Sequence, residues 1–136
     1  PEEAKTRGED TGPIANGVSD EDAVVYYLEK HPDLKGCFGT NDETVLLGAR
    51  AIDRMEKTDE IVMMGFDAGK DQLDALKNGS IDGLVVQNPF GMGYAAVVAA
   101  ARTVLEIGNE AQVDTGFIWV DTENMENENI QAMLYE

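Results

Sequence analysis

Three short stretches share one pattern: an apolar run ends, and a side chain able to hydrogen-bond stands at its exit. They are Gly39-Thr40-Asn41-Asp42 after KGCF, Phe66-Asp67-Ala68-Gly69 after IVMMG, and Gln87-Asn88-Pro89 after GLVV. An ionised aspartate only accepts hydrogen bonds, whereas the carboxamides of asparagine and glutamine both donate and accept. Asn41, Asp67 and Gln87 together match a polyhydroxylated ligand, each hydroxyl of which is donor and acceptor at once.

Each of these residues also has a local reading. Thr40 or Asp42 can cap a helix that starts here, and capping suits Asp42 better than ligand contact, which is its secondary role. Asn41 stays open between cap and ligand. Asp67, ahead of Ala68-Gly69, suits an Asx turn or a cap as well as a ligand. Gln87 is harder to explain locally, because glutamine needs a partner at a buried strand end. Phe90 and Tyr94 follow Gln87 closely enough to reach the same crevice; Phe90 is a secondary contact candidate, with core packing as the default for both. Trp119 reads as a packing residue.

Other chemistries lack their residues. The sequence has no G-x-S-x-G elbow, no H-E-x-x-H, no P-loop and no G-x-G-x-x-G after an apolar run. His31, the only histidine, precedes Pro32 in a surface-type turn. Asp42 and Glu43 diverge as neighbours on a helix, so they do not make a magnesium site. No catalytic step, cofactor or metal is expected. Cys37 is alone, so no intrachain disulfide forms and a buried, inert thiol is expected. Twenty-seven acids against ten bases give a net charge of −17, which repels phosphate backbones and anionic membranes and disfavours nucleic acid as a partner. The longest apolar run, AAVVAAA at 95–101, is far short of the ~20 residues of a membrane span. Direct membrane insertion is not expected, and no signal peptide is visible at the start.

The elements that must position the three polar residues follow from periodicity. Residues 1–18 mix proline, glycine and charge without a period and read as an irregular segment. Ser19-Asp20-Glu21-Asp22 has the form of a capping box, with Val24, Tyr27 and Leu28 at helical spacing, so a helix runs over about 20–30 and ends at His31-Pro32. Three strand-helix units come next: a strand at 35–39 with a helix over about 42–56, a strand at 60–66 with a helix through KDQLDALKNG, and a strand at 81–87 with an apolar helix over about 91–107. The last strand is 115–120, and a helical turn is expected near the C-terminus. Alternating strands and helices imply an α/β fold: a parallel sheet with helices on both faces, flavodoxin-like, whose ligands sit beyond the carboxyl ends of the strands.

The series HPDLKGCFGTNDETVLLGARAI, IVMMGFDAGKDQLDALKNGSIDGLVVQNPFGMGYAA and DTGFIWVDTENM resembles the C-terminal portion of type I periplasmic sugar-binding proteins, the ribose- and galactose-binding relatives that share their fold with LacI-type repressor cores. The resemblance runs from about residue 20 to the end. It implies two α/β lobes joined by a hinge and closing on a sugar, with 19–136 as the C-terminal-type lobe and Asn41, Asp67 and Gln87 bonding sugar hydroxyls. It further implies an ABC-transporter permease as partner of the complete protein, and a periplasmic or extracellular location, lipid-anchored in some hosts.

The resemblance implies that a complete member is roughly twice this length, with a first lobe, not matched in these residues, that supplies the other wall of the crevice together with most stacking aromatics and often an arginine. The apolar helix over 91–107 would then pack on that first lobe. In its absence the helix is expected to fold back on its own sheet, to pair with a second copy of the chain, or to await its partner. Competing readings are the effector core of a LacI-like regulator, which predicts an upstream basic helix-turn-helix, a CheY-like receiver, for which Asp67 and Lys70 lie too close in sequence, and a non-binding fragment that self-associates.

Overall fold

A computed structural model describes residues 19–110 and 112–134 of the chain. The irregular segment expected at 1–18 lies outside the described residues. Along the chain run α1 (Asp20–Lys30), β1 (Gly36–Phe38), α2 (Asp42–Arg54), β2 (Val62–Phe66), α3 (Lys70–Lys77), β3 (Gly83–Gln87), α4 (Pro89–Val104), β4 (Phe117–Val120) and α5 (Glu128–Gln131).

The helix starts follow from local chemistry. Ser19 Oγ accepts from the Asp22 N–H at 3.2 Å and donates to the Asp22 carboxylate at 2.7 Å. The other oxygen of that carboxylate receives Arg54 of α2 at 2.7 Å, and Glu21 also meets Arg50 and Arg54, so α1 is tied to α2 by charge as well as by packing. The Ser19 hydroxyl first, and then Arg54, hold the Asp22 carboxyl below the usual carboxylate range. α4 begins at Pro89, two residues earlier than its apolar pattern suggests. Proline is preorganised for the first helical position, and Asn88 caps the turn by accepting from the Gly91 N–H at 2.8 Å.

The strands form one sheet in the order β1-β2-β3-β4. The first three are parallel, with Gly36 opposite Val62 and Phe66 opposite Val85. β4 returns antiparallel to β3, with Gln87 opposite Phe117 and Leu84 opposite Val120. The α/β class is as expected, and two particulars differ. The sheet is mixed, because the chain returns from α4 to the carboxyl rim and β4 starts there, with Phe117 opposite Gln87. Helices cover one face among the described residues: α2 packs on β1 and β2 and against α3, while α1 packs against α2. The strand order advances in a single direction, and right-handed crossovers then place successive helices on the same side.

The core lies between that face and the sheet. Met63, Leu84, Val86 and Val120 point into it, meeting Val45, Ala49, Ile52, Leu73 and Leu76 from the helices. Close helix-to-sheet approach depends on glycine: a Cβ on Gly65 would collide with the Val45 side chain, and one on Gly48 would come within 2.7 Å of Met63 Cε. The opposite face carries Phe38, Val62, Phe117 and Trp119, all exposed, with Phe66 and Val85 half-buried.

α4 contributes nothing to this core. None of its residues is buried; Phe90 is 81% exposed and Val104 82%. The possibility that it folds back on the sheet is therefore not realised, and core packing of Phe90 and Tyr94 is not observed. No helix among the described residues is long and apolar enough to cross a membrane. Cys37 is half-buried instead of fully enclosed, and burial pushes its thiol pKa up.

Candidate functional site

The ends of β1, β2 and β3 bring the three polar residues to one edge of the sheet. Asn41 follows β1 by two residues, Asp67 directly follows β2, and Gln87 is the last residue of β3. Neighbouring strands lie about 4.8 Å apart, so the three exits form a row along the carboxyl rim.

Asn41 is the N-cap of α2, and the expectation that Thr40 or Asp42 would cap the helix is not met. Its Oδ1 accepts from the Thr44 N–H at 2.9 Å and from the Thr44 hydroxyl at 2.7 Å, while the Thr44 hydroxyl accepts the Asn41 N–H at 3.2 Å. Cap and ligand roles are compatible in this geometry, because the cap occupies only the oxygen. The side-chain amide Nδ2 has no protein partner among the described residues and remains a free donor. Asp42 is the first residue of α2 and exposed, with its Oδ2 directed at Gly69: a Cβ added to that glycine would stand 3.2 Å from it.

Asp67 occupies a tight turn between β2 and α3. Its φ is +77°, in the left-handed region that aspartate tolerates better than most residues. Its backbone N–H donates to Val85 O at 3.0 Å, which continues the β2–β3 ladder by one bond past the strand end. The half-buried carboxylate has no protein partner among the described residues.

Gln87 is exposed, contrary to the buried strand end expected for it, because the antiparallel return of β4 covers its backbone while its side chain stands on the uncovered face of the described sheet. It borders an open groove of about 670 Å³ lined by Phe66, Val85, Asp114, Thr115 and Phe117. Phe117, 73% exposed, stands opposite Gln87 across the ladder. Sequence reading missed Phe66, Asp114 and Phe117 as neighbours of the site: Phe66 comes beside Val85 through the parallel β2–β3 register, and Phe117 and Asp114 reach Gln87 only through the β3–β4 pairing of residues some thirty positions apart. Phe90 projects into solvent from the first turn of α4 and is not among the residues lining the groove.

Gln72 was also missed. It is fully buried in the first turn of α3; its Nε2 donates to Phe66 O at 2.7 Å and its Oε1 accepts from the Gly69 N–H at 2.9 Å. The signal for it was a glycine three residues ahead of a glutamine at a helix start, the spacing at which a side chain reaches back to the cap N–H.

No group of three or more His, Cys, Asp or Glu side chains among the described residues could hold a metal ion. The rim can offer one free amide donor, one carboxylate acceptor, one carboxamide with both functions, and two aromatic rings beside an open groove. Groups of these types can hydrogen-bond alcohols and cover their C–H faces.

Comparison with known proteins agrees with the fold. The sequence profile of the periplasmic binding protein domain matches residues 16–109. A ribose import binding protein of Bacillus subtilis is 37% identical over 73 residues, covering 54% of this chain and 23% of that protein. A D-apiose import binding protein of Paraburkholderia graminis is 30% identical over 91 residues, covering 67% and 28%. Among solved structures, an ABC-transporter solute-binding protein of Agrobacterium vitis with bound D-fucose superposes with a TM-score of 0.76 at 30% identity, over 85% of this chain and 40% of that one. A carbohydrate-transporter solute-binding protein of Agrobacterium radiobacter with D-arabinose gives 0.76 at 32%, over 84% and 39%. The chain thus spans about a quarter of the length of these curated relatives. With the profile matched over more than half of its residues and the same fold in both solved relatives, this chain belongs to the periplasmic binding protein domain family.

Proposed function

We propose that this chain is a carbohydrate-binding lobe of a solute-binding protein that delivers a sugar to an ABC transporter, in the periplasm or at the outer surface of the cell. One observation carries the reading: Asn41, Asp67 and Gln87 stand at the carboxyl ends of three adjacent strands, and the Asn41 amide, the Asp67 carboxylate and the Gln87 carboxamide have no protein partner among the described residues. Asp67 accepts from sugar hydroxyls, Asn41 donates through Nδ2 while its oxygen holds the cap, and Gln87 does both. Phe66 and Phe117 offer ring surface to the C–H face of the sugar. The names of the relatives, which bind ribose, D-apiose, D-fucose or D-arabinose, support a monosaccharide of that size.

Binding, with no bond made or broken, is the whole of the role. In a longer protein the other lobe supplies the second wall of the crevice, and the exposed apolar face of α4 seats against it. The closed form is then what the transporter permease engages. The lone chain has one wall, and half the contacts barely offset the freedom lost on association. Its affinity for sugar is on the order of millimolar or weaker.

A titration of the isotopically labelled chain with D-ribose, D-arabinose and D-fucose, followed by amide chemical shifts, tests this. Shifts are expected at Asn41, Asp67 and Gln87 for at least one sugar, and Asp67→Ala is expected to abolish them. Shifts confined to other parts of the surface, or unchanged in the variant, would overturn the site.

A further inference from the structure

We infer that Gln72 is the positioning residue for Asp67: its buried carboxamide bridges the two ends of the turn that carries the carboxylate, and so sets the direction in which Asp67 meets a ligand. This rests on the reading of Asp67 as a sugar-binding group. Gln72 is the one buried polar side chain among the described residues, and burying a carboxamide is unfavourable unless its groups are bonded. Both are: the amide donates to Phe66 O at 2.7 Å, immediately before Asp67, and the oxygen accepts from the Gly69 N–H at 2.9 Å, two residues after it.

A helix cap alone explains half of this. The Gly69 N–H is an orphan donor at the start of α3, and a side-chain oxygen reaching back to it is ordinary capping chemistry. The bond to Phe66 O is not capping, since Phe66 ends β2 and its carbonyl belongs to the strand. With both bonds made, one rigid carboxamide fixes the entry and the exit of the turn. Asp67 between them is held at φ +77°, while its N–H is anchored from the other side by Val85 O at 3.0 Å. Ala68, beside it, is fully buried. An aspartate in a sparsely populated backbone region persists only where the surroundings over-determine it, and here α3 and β3 do so from opposite sides. Ligand groups need support of this kind, because a constellation loosened by a fraction of an ångström binds poorly.

Two substitutions separate the roles. Gln72→Met keeps an unbranched side chain of similar size and loses both bonds. Gln72→Glu, when ionised, keeps an acceptor for the Gly69 N–H and loses the donor to Phe66 O. Expected for both is faster hydrogen exchange at the Asp67 amide and a change in its backbone coupling constant, with Val45 and Leu76 amides as the reference for global stability. At a fixed sugar concentration the sugar-induced shifts should shrink by about tenfold, the loss seen when the outer partner of a metal ligand is removed. Gln72→Glu should retain protection in the first turn of α3 while Asp67 is released, a split that a purely structural cap does not produce.

An Asp67 amide that stays protected with an unchanged coupling constant in folded Gln72→Met, or in folded Gln72→Glu at a pH where its buried carboxyl is ionised, overturns the inference. So does fast exchange at Asp67 in the unmodified chain, a measurement that holds even if neither variant folds. Failure of the parent reading looks different: no sugar then shifts the unmodified chain, whatever Gln72 does to the turn.

Discussion

Gly65 on β2 and Val45 on α2 are in such close contact that a side chain on the glycine would overlap the valine methyl groups. Val45 is fully buried, and its contact sets the distance between α2 and the sheet, hence the height of Asn41 above the rim. Gly65→Ala should lower the unfolding free energy by about 1–3 kcal/mol, the usual range for overpacking a well-filled core. Combining it with Val45→Ala should recover part of that loss, although Val45→Ala alone opens a cavity. Urea denaturation of the single and double variants gives the coupling directly, and strict additivity would show that the two residues do not touch.

Trp119, the only tryptophan, lies across Gly83, with its indole N–H donating to Asp121 Oδ2 at 2.9 Å. It lies against the sheet at Gly83 and remains 41% exposed, because the face it occupies is uncovered among the described residues. Gly83→Ala forces the ring off the sheet. A shift of the emission to longer wavelength and a loss of about 1–3 kcal/mol are expected. Unchanged emission in the folded variant would contradict the packing.

Asn41 combines a cap and a donor, and two substitutions separate them. Asn41→Ala removes both and should cost about 1 kcal/mol of stability through the cap. Asn41→Asp keeps the acceptor for Thr44 and caps equally well, but an ionised carboxylate has no hydrogen to offer a sugar oxygen. Stability is expected to hold within about 0.5 kcal/mol while sugar-induced shifts fall. Thermal melts and a titration on the same samples decide it; retention of full sugar response by Asn41→Asp would remove Asn41 from the site.

Asp22 is partly exposed, and its carboxyl is held low by the Ser19 hydroxyl and by Arg54. A depressed folded-state pKa contributes stability that is present above the ordinary carboxylate value, about pH 4, and is lost as the pH falls through the depressed one. Asp22→Asn should therefore melt below the unmodified chain near neutrality, with the gap closing under strong acid and narrowing in salt. A gap that widens with acidification would reverse the sign.

Much of this fold was legible in the residues themselves. Ser19 ahead of Asp22, the proline after His31 and the alternation of apolar runs with helical stretches are local signals, read within a few residues of where they act. The strand exits were legible for the same reason, and an α/β pattern directs attention to the carboxyl ends of strands before any coordinates are known. Asn41, Asp67 and Gln87 could be named on that basis. Which atom of Asn41 caps the helix and which is left for a ligand could not, because that depends on side-chain rotation.

Tertiary structure decided the rest. Whether Gln87 is buried depends on where β4 lands, and its antiparallel return also brought Phe117 and Asp114 to the groove from thirty residues away. The one-sided cover of the sheet among the described residues follows from the direction in which strand order advances, which no local pattern records. The exposure of α4 was decided in the same way: an apolar helix is a demand for a partner, and periodicity states the demand without saying who meets it. Gln72 shows the limit most plainly, since a polar residue in an amphipathic helix reads as a surface position until the turn it bridges has folded over it.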